Sequence, residues 1–168
     1  MNIDNENREH LSCKAWILPF ANRIYTAISE FEIVHILAGR QKYTHVPRTP
    51  LWCQFVFTWC DQLIPLFDLN IYMNLQDSRE STPVFSSNDI ICIVSYKDQG
   101  GILRYGGLLL SSLPFARTVS DDQICNYPPS PAIDWSKLAI SCFNDNEIGA
   151  IPILDIPQIF CNPIAQPV

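Results

Sequence analysis

The sequence predicts a mainly β protein, and three observations carry that reading. Thirteen prolines are spread through 168 residues, and aromatic and isoleucine residues are frequent. No long stretch repeats with the period of an amphipathic helix. Between Thr49 and Leu69 an apolar run, a polar dipeptide and a second apolar run follow one another directly, which is the pattern of a β-hairpin. At this length a single domain buries roughly 70% of the surface its unfolded chain exposes. With 48% hydrophobic and 17% charged residues, the composition supports a packed core that needs no staple.

Residues 1–12 read as a disordered tail and residues 13–162 as one domain. The first strand is expected over Ala15 to Phe20. Periodicity leaves Ile24 to Leu37 open, because Ile28, Phe31, Ile33, Val34, Ile36 and Leu37 fit a helical face about as well as a bulged strand. Ala38 to Thr49 reads as a loop carrying Arg40, Gln41, Lys42, His45 and Arg48.

Phe55, Val56, Phe57 and Trp59 are residue types that fit a pleated, half-buried surface, and Leu63, Ile64, Leu66 and Phe67 resume the apolar run beyond the turn. Cys60 and Asp61 supply that turn, since Asp tolerates the left-handed backbone that a two-residue hairpin loop requires. Pro65 has no N–H to donate. Its strand is therefore expected at a sheet edge, or with the proline nitrogen turned away from a neighbour.

Beyond the hairpin, Asn70 to Leu75 is expected as a short helical turn and Gln76 to Asn88 as a polar loop. Asp89 to Tyr96 is a continuous apolar strand, Lys97 to Gly100 a turn, and Gly101 to Tyr105 a returning strand that ends in Gly106-Gly107. The two Gly-Gly pairs read as backbone bends, because neither is followed by the Lys-Ser or Lys-Thr of a phosphate-binding loop. Leu138 to Phe143, the turn Asn144-Asp145-Asn146-Glu147, and Ile148 to Ile156 form a last hairpin. No internal sequence repeat is evident.

Thr49-Pro50, the strand Phe55 to Trp59, Pro65, Asp68-Leu69, and the closing Leu154-Asp155-Ile156 with Ile159 and Phe160 after it give the chain a family resemblance. It resembles the CheW family of chemotaxis coupling proteins, over Ala15 to Phe160. The resemblance implies two similar five-stranded β-barrels packed on a shared apolar seam, with short helical segments. It also implies strands at Tyr25 to Ser29 and Ile33 to Leu37.

In function, the resemblance implies a non-catalytic adaptor. One barrel of such a protein binds the regulatory domain of a chemotaxis histidine kinase, and the groove between the barrels contacts the tip of a methyl-accepting chemoreceptor. Pilus-driven rather than flagellar motility is one setting the resemblance admits. The positions implied in these contacts correspond here to Ile33, His35, Phe55 and Cys60. Thr58-Trp59-Cys60-Asp61 stands where the family has Asn-Leu-Arg-Gly, so Cys60 replaces an Arg, while Phe55 replaces a Gly and His35 a common acid. The alternative is a stand-alone β-barrel interaction module with the same fold and an unrelated partner.

Composition and motif spacing argue against other classes. The formal charge is −6 and no basic cluster exceeds Arg40 to Lys42, which disfavours nucleic acid as a partner. No run of about 18 apolar residues exists, so no membrane insertion is expected. Met1 to His10 is polar and acidic, unlike a secretory signal, and Cys13 lacks the apolar stretch that precedes a lipidated cysteine.

The seven cysteines are an odd number without metal-knuckle spacing, which reads as reduced thiols in the cytoplasm. Cys53, Cys92 and Cys142 lie in apolar runs and read as small core hydrophobes. His10, His35 and His45 show no zinc spacing. Cys60 stands beside Asp61, and a neighbouring carboxylate disfavours the thiolate a nucleophile needs. Asp68 and Asp155 read as helix caps rather than as an acid–base pair. No catalytic residue, cofactor or metal is expected.

Overall fold

Period-two alternation along the central strands sends apolar side chains to two faces at once, and the architecture follows from where those faces are covered. The computed structural model describes residues 11–74, 85, 88–131 and 133–161. Its strands are β1 (Ser12–Phe20), β2 (Ile24–Ser29), β3 (Ile33–Ala38), β4 (Tyr43–His45), β5 (Phe55–Trp59), β6 (Gln62–Phe67), β7 (Ile90–Lys97), β8 (Leu103–Leu110), β9 (Phe115–Ser120), β10 (Ala139–Asp145) and β11 (Gly149–Leu154). Two short helices follow hairpins, α1 (Leu69–Asn74) and α2 (Ile156–Cys161). Of the tail expected over residues 1–12, only Leu11 and Ser12 are described, and Ser12 opens β1. Most of the loop expected over residues 76–88 lies outside the described residues.

The strands form a five-stranded sheet, β10-β11-β2-β1-β9, and a six-stranded sheet, β3-β7-β8-β6-β5-β4. The second sheet is built from a contiguous stretch of chain, whereas the first takes two strands from the start of the chain and three from its end. Each sheet curls around its own interior. In the first, Ala15, Ile17, Ala27, Val119, Phe143 and Ile151 pack together. In the second, Phe57, Ile64, Leu66, Ile91 and Ile93 do so. The alternate residues, Leu18, Ile28, Phe67, Cys92, Val94 and Leu108 among them, meet in the seam between the sheets with Trp52, Trp135 and Leu154. Ile17, Leu18, Ala27, Ile28, Ile91, Cys92, Ile93 and Val94 are all at 0% exposure, so both parities of these strands are buried. Full burial of one such large side chain contributes about 1.5 to 3 kcal/mol.

The six-stranded sheet exceeds the expected five by β4, which lies in the segment expected to be a loop. Tyr43, Thr44 and His45 pair antiparallel with Phe57, Val56 and Phe55, and the Tyr43 ring meets Phe57 edge-on at 6.5 Å. Polar neighbours masked a strand only three residues long. β9 likewise has no counterpart among the expected strands. It pairs with β1 from Ser12↔Ser120 to Ile17↔Phe115.

Pro65 does not mark an edge, because β6 lies inside its sheet between β5 and β8. The pair Trp59/Gln62 flanks a two-residue loop and is hydrogen-bonded, and bonded and non-bonded pairs then alternate. Pro65, opposite Val56, falls at a non-bonded pair with its nitrogen turned away from β5, and parallel pairing with β8 starts only at Leu66↔Gly107. The alternative placement of the proline nitrogen is therefore the correct one.

A repeat emerges from the topology. β6 joins β8 in parallel at Leu66↔Gly107 and Phe67↔Leu108, and β11 joins β2 in parallel at Ile153↔Ala27. Each of these second hairpin strands carries the same six-residue pattern, Ile64-Pro65-Leu66-Phe67-Asp68-Leu69 and Ile151-Pro152-Ile153-Leu154-Asp155-Ile156. Each then enters a short helix capped by the repeated Asp. The N–H groups of Asn70 and Ile71 donate to Asp68 Oδ1 at 2.9 and 3.2 Å, and that of Gln158 donates to Asp155 Oδ1 at 2.9 Å. Burial nevertheless pushes the Asp68 carboxyl above its ordinary range, outweighing those N–H groups.

Gly106 and Gly107 are not bends. β8 runs straight through them to Leu110, longer than expected. A Cβ on Gly107 would stand 2.8 Å from Phe57 Cε1 inside the second sheet, and a Cβ on Gly106 would overlap the Phe160 ring of α2. Phe160 in turn stacks on Tyr96 at 5.3 Å and 10°. The paired glycines let aromatic rings approach the strand from both sides.

The two ends of the first sheet meet. Ile124, just beyond β9, bridges Phe143 of β10, and Arg117 Nε lies 3.3 Å from Asp145 Oδ2 with Nη2 2.7 Å from Glu147 Oε2. Burial pushes the Asp145 carboxyl up, but the N–H groups of Glu147 and Ile148 together with the Arg117 guanidinium outweigh it and hold it below the usual carboxylate range.

Two outcomes test this packing. Gly106→Ala is expected to lower unfolding free energy by about 1 to 3 kcal/mol through overpacking. A double-mutant cycle with Phe160→Leu, followed by urea unfolding, should recover part of that loss. Because the folded-state Asp145 carboxyl is depressed, its contribution is present above the unfolded value and lost as pH falls through the folded one. Asp145→Asn should therefore be less stable than the parent above about pH 5, with the gap closing at about pH 4 and below.

Candidate functional site

The β5–β6 hairpin presents the surface with the clearest functional character. Its loop residues both adopt left-handed backbone, Cys60 at φ 47° and Asp61 at φ 60°, the geometry of a type I′ turn. That turn matches strand twist but favours Asn-Gly, so Cys60 and Asp61 hold it at a conformational cost. Both side chains are exposed.

Behind the turn, three rings converge from three strands. His35 of β3 stacks on Trp59 of β5 at 6.3 Å and 28°, and Trp59 meets Tyr105 of β8 edge-on at 5.5 Å. His35 is exposed, while Trp59 and Tyr105 are half-buried against the interior of the second sheet. The structure thus brings His35 and Cys60 to one end of that sheet and adds Trp59 and Tyr105. Trp59 reads from sequence as a strand residue. Its place beside the turn, with an aromatic body and one N–H, is the signal that marks it for a surface role.

Ile33 and Phe55 lie elsewhere. A bulge in β3 shifts the register between Ile33↔Val94 and His35↔Ile93, so residues two apart no longer share a face. Ile33 packs on the seam with Ile36, whereas Leu37 joins the interior of the second sheet. Val34, at the bulge, is 41% exposed.

Phe55 begins β5 at the end away from the turn. It meets His45 at 5.5 Å and Phe85 at 4.8 Å, and Phe85 stacks on Tyr43 at 3.9 Å. Phe55 and Phe85 line a cavity of about 600 Å³ with Arg40, Lys42 and Tyr43. Arg40, Lys42 and Arg48 take part in none of the ion pairs among the described residues. The Tyr43 hydroxyl donates to Asp89 Oδ2 at 3.5 Å, and burial followed by the Asp89 charge pushes it up to about 12.

Asp68 and Asp155 are engaged as caps, and burial pushes the Cys53 thiol up to about 11 and Cys92 to about 12. Among the described residues no three His, Cys, Asp or Glu side chains group as metal ligands, and no helix is long and apolar enough to cross a membrane.

The family model for the CheW-like domain matches residues 22–162, from just before β2 to just past α2. The chain belongs to the CheW-like domain family. That family is a non-catalytic scaffold family. Among solved structures, this CheW-like chain is similar to the scaffolding protein TtCheW from Thermoanaerobacter tengcongensis. The identity is 17% and the TM-score 0.68, covering 91% of this chain and 96% of that one. At that identity the likeness establishes the fold. No curated protein sequence matches significantly.

The cost held in the turn is measurable. Asp61→Gly is expected to raise unfolding free energy by about 0.5 to 1 kcal/mol, read as an increased urea midpoint with unchanged slope.

Proposed function

We propose that this CheW-like domain is a cytoplasmic, non-catalytic adaptor that couples chemoreceptors to a chemotaxis-type histidine kinase. The observation that carries the reading is the family match over residues 22–162. The exposed Cys60-Asp61 turn and the His35–Trp59 stack lend support as a partner-facing surface. The kinase's regulatory domain would seat on this end of the six-stranded sheet, with His35 and Cys60 as contact residues. Ile33, packed on the seam, would act on the groove that receives the receptor tip, and Phe55 would anchor a second contact at the opposite end of β5. Aromatic side chains of this kind dominate the energetics of many interfaces. A pilus-driven motility system is the setting we favour for this adaptor.

Cys60 sets the strength of the kinase contact in this reading. A hydrogen bond to a charged group contributes about 1.5 to 3 kcal/mol, so an Arg at this position is worth roughly tenfold to a hundredfold in affinity. Titration of the regulatory domain of a chemotaxis-type histidine kinase into the wild-type chain is expected to give a dissociation constant in the micromolar range. Cys60→Arg should tighten it by that factor and His35→Ala should weaken it. Absence of binding at tens of micromolar by both the parent and Cys60→Arg chains would sink the coupling role in favour of an interaction module with an unrelated partner.

A further inference from the structure

The closure of the five-stranded sheet carries an unassigned pair of thiols. Beyond the bridge Ile124↔Phe143, the Cys125 N–H donates to the Cys142 carbonyl at 3.0 Å, and the two Sγ atoms lie 3.5 Å apart. We propose that Cys125 and Cys142 form a reversible disulfide site, at which a peroxide oxidant locks the two ends of the first sheet together.

The placement suits the bond. A disulfide needs sulfurs about 2.05 Å apart, and here the two Sγ atoms already lie 3.5 Å apart. The residues are opposed across the closure, and their sulfurs need to approach by only about 1.5 Å. The two thiols are also unequal. Cys125 is half-exposed, whereas Cys142 is 2% exposed. Burial first, and then the contact with Cys125, pushes the Cys142 thiol up to about 12. Cys125 is therefore the sulfur that meets an oxidant, and Cys142 the one that resolves the product.

The steps balance with hydrogen peroxide. The Cys125 thiolate attacks one peroxide oxygen and the O–O bond breaks, leaving a sulfenic acid and hydroxide. Cys142 Sγ then attacks the Cys125 sulfur. The S–S bond forms as the S–O bond breaks, and the departing hydroxide takes the Cys142 proton and leaves as water. In total, two thiols and one peroxide give one disulfide and two waters, with two electrons passing from sulfur to oxygen. A dithiol reductant reverses the change by exchange.

The bond would tie residues seventeen positions apart, including the segment that packs Trp135 and Leu138 into the seam. Cross-linking a loop of this size restricts the unfolded chain and is expected to raise the melting temperature by about 5 to 10 °C.

The test uses the full reduced chain treated with a small excess of hydrogen peroxide. Intact mass should fall by about 2 Da, peptide mapping should place the link at Cys125–Cys142, and the melting temperature should rise. Dithiothreitol should reverse all three. Cys60→Ser should respond as the parent does, and Cys125→Ser should lose both the mass change and the thermal shift. Oxygen adducts without a cross-link, a link between other cysteines, or a cross-link that leaves the melting temperature unchanged or lower would each overturn the proposal.

Discussion

Burial of the central strands on both faces is the constraint on which the rest of this structure depends. β1, β7 and β8 each line one sheet's interior with one set of side chains and the seam with the alternate set. Such a strand has no solvent face on which to place bulk that does not fit, so its two packing layers are only one backbone thick. Gly106 and Gly107 are the sharpest expression of this, because Phe160 and Phe57 take from opposite sides the space that two side chains would fill. The two interiors and the seam are therefore mechanically continuous. A change in side-chain volume at Ile91 is felt on the Cys92 side through the same strand.

Much of the fold was legible in local chemistry. The β5–β6 hairpin announced itself through two apolar runs broken by a polar dipeptide, and Asp68 and Asp155 read as caps because each precedes an apolar turn. What escaped was non-local. β4 is three residues long and flanked by polar side chains, and it exists because Phe55 to Phe57 offer an edge to pair with. Pro65 pointed to an edge strand, but the hairpin register sends its nitrogen where no partner strand yet runs. The six-residue repeat retains only its Ile, Pro and Asp positions unchanged, with apolar residues exchanged freely between them, so topology was needed to see it. Among the site residues, the His35–Trp59 stack sets His35 beside the Cys60 turn, a cross-strand contact no local pattern announces, and the β3 bulge separates Ile33 from His35 by breaking their alternation.

The turn end of the six-stranded sheet carries the contact surface proposed above. Its polar and aromatic atoms are carried by strands fixed from beneath, so little ordering of side chains remains to be done on contact. The left-handed turn at Cys60 and Asp61 keeps two short side chains at the tip, which leaves the His35 and Trp59 rings within reach of an incoming surface. The opposite end, with Arg40 and Lys42 around Phe55, differs in charge from an otherwise acidic chain. A scaffold with two chemically distinct ends on one rigid sheet can hold different neighbours without confusing them.

The split origin of the five-stranded sheet has a consequence for how the protein is made. During synthesis β1 and β2 leave the ribosome first, yet β9, β10 and β11 emerge only after the whole six-stranded sheet has been translated. The six-stranded sheet has all its strands from one contiguous stretch while Ile17, Leu18 and Ala27 still lack the neighbours that β9 to β11 supply. An early hairpin held open for most of translation is the species most exposed to misassociation. Docking of β11 and α2, from Gly149 to Cys161, is what ends that exposure.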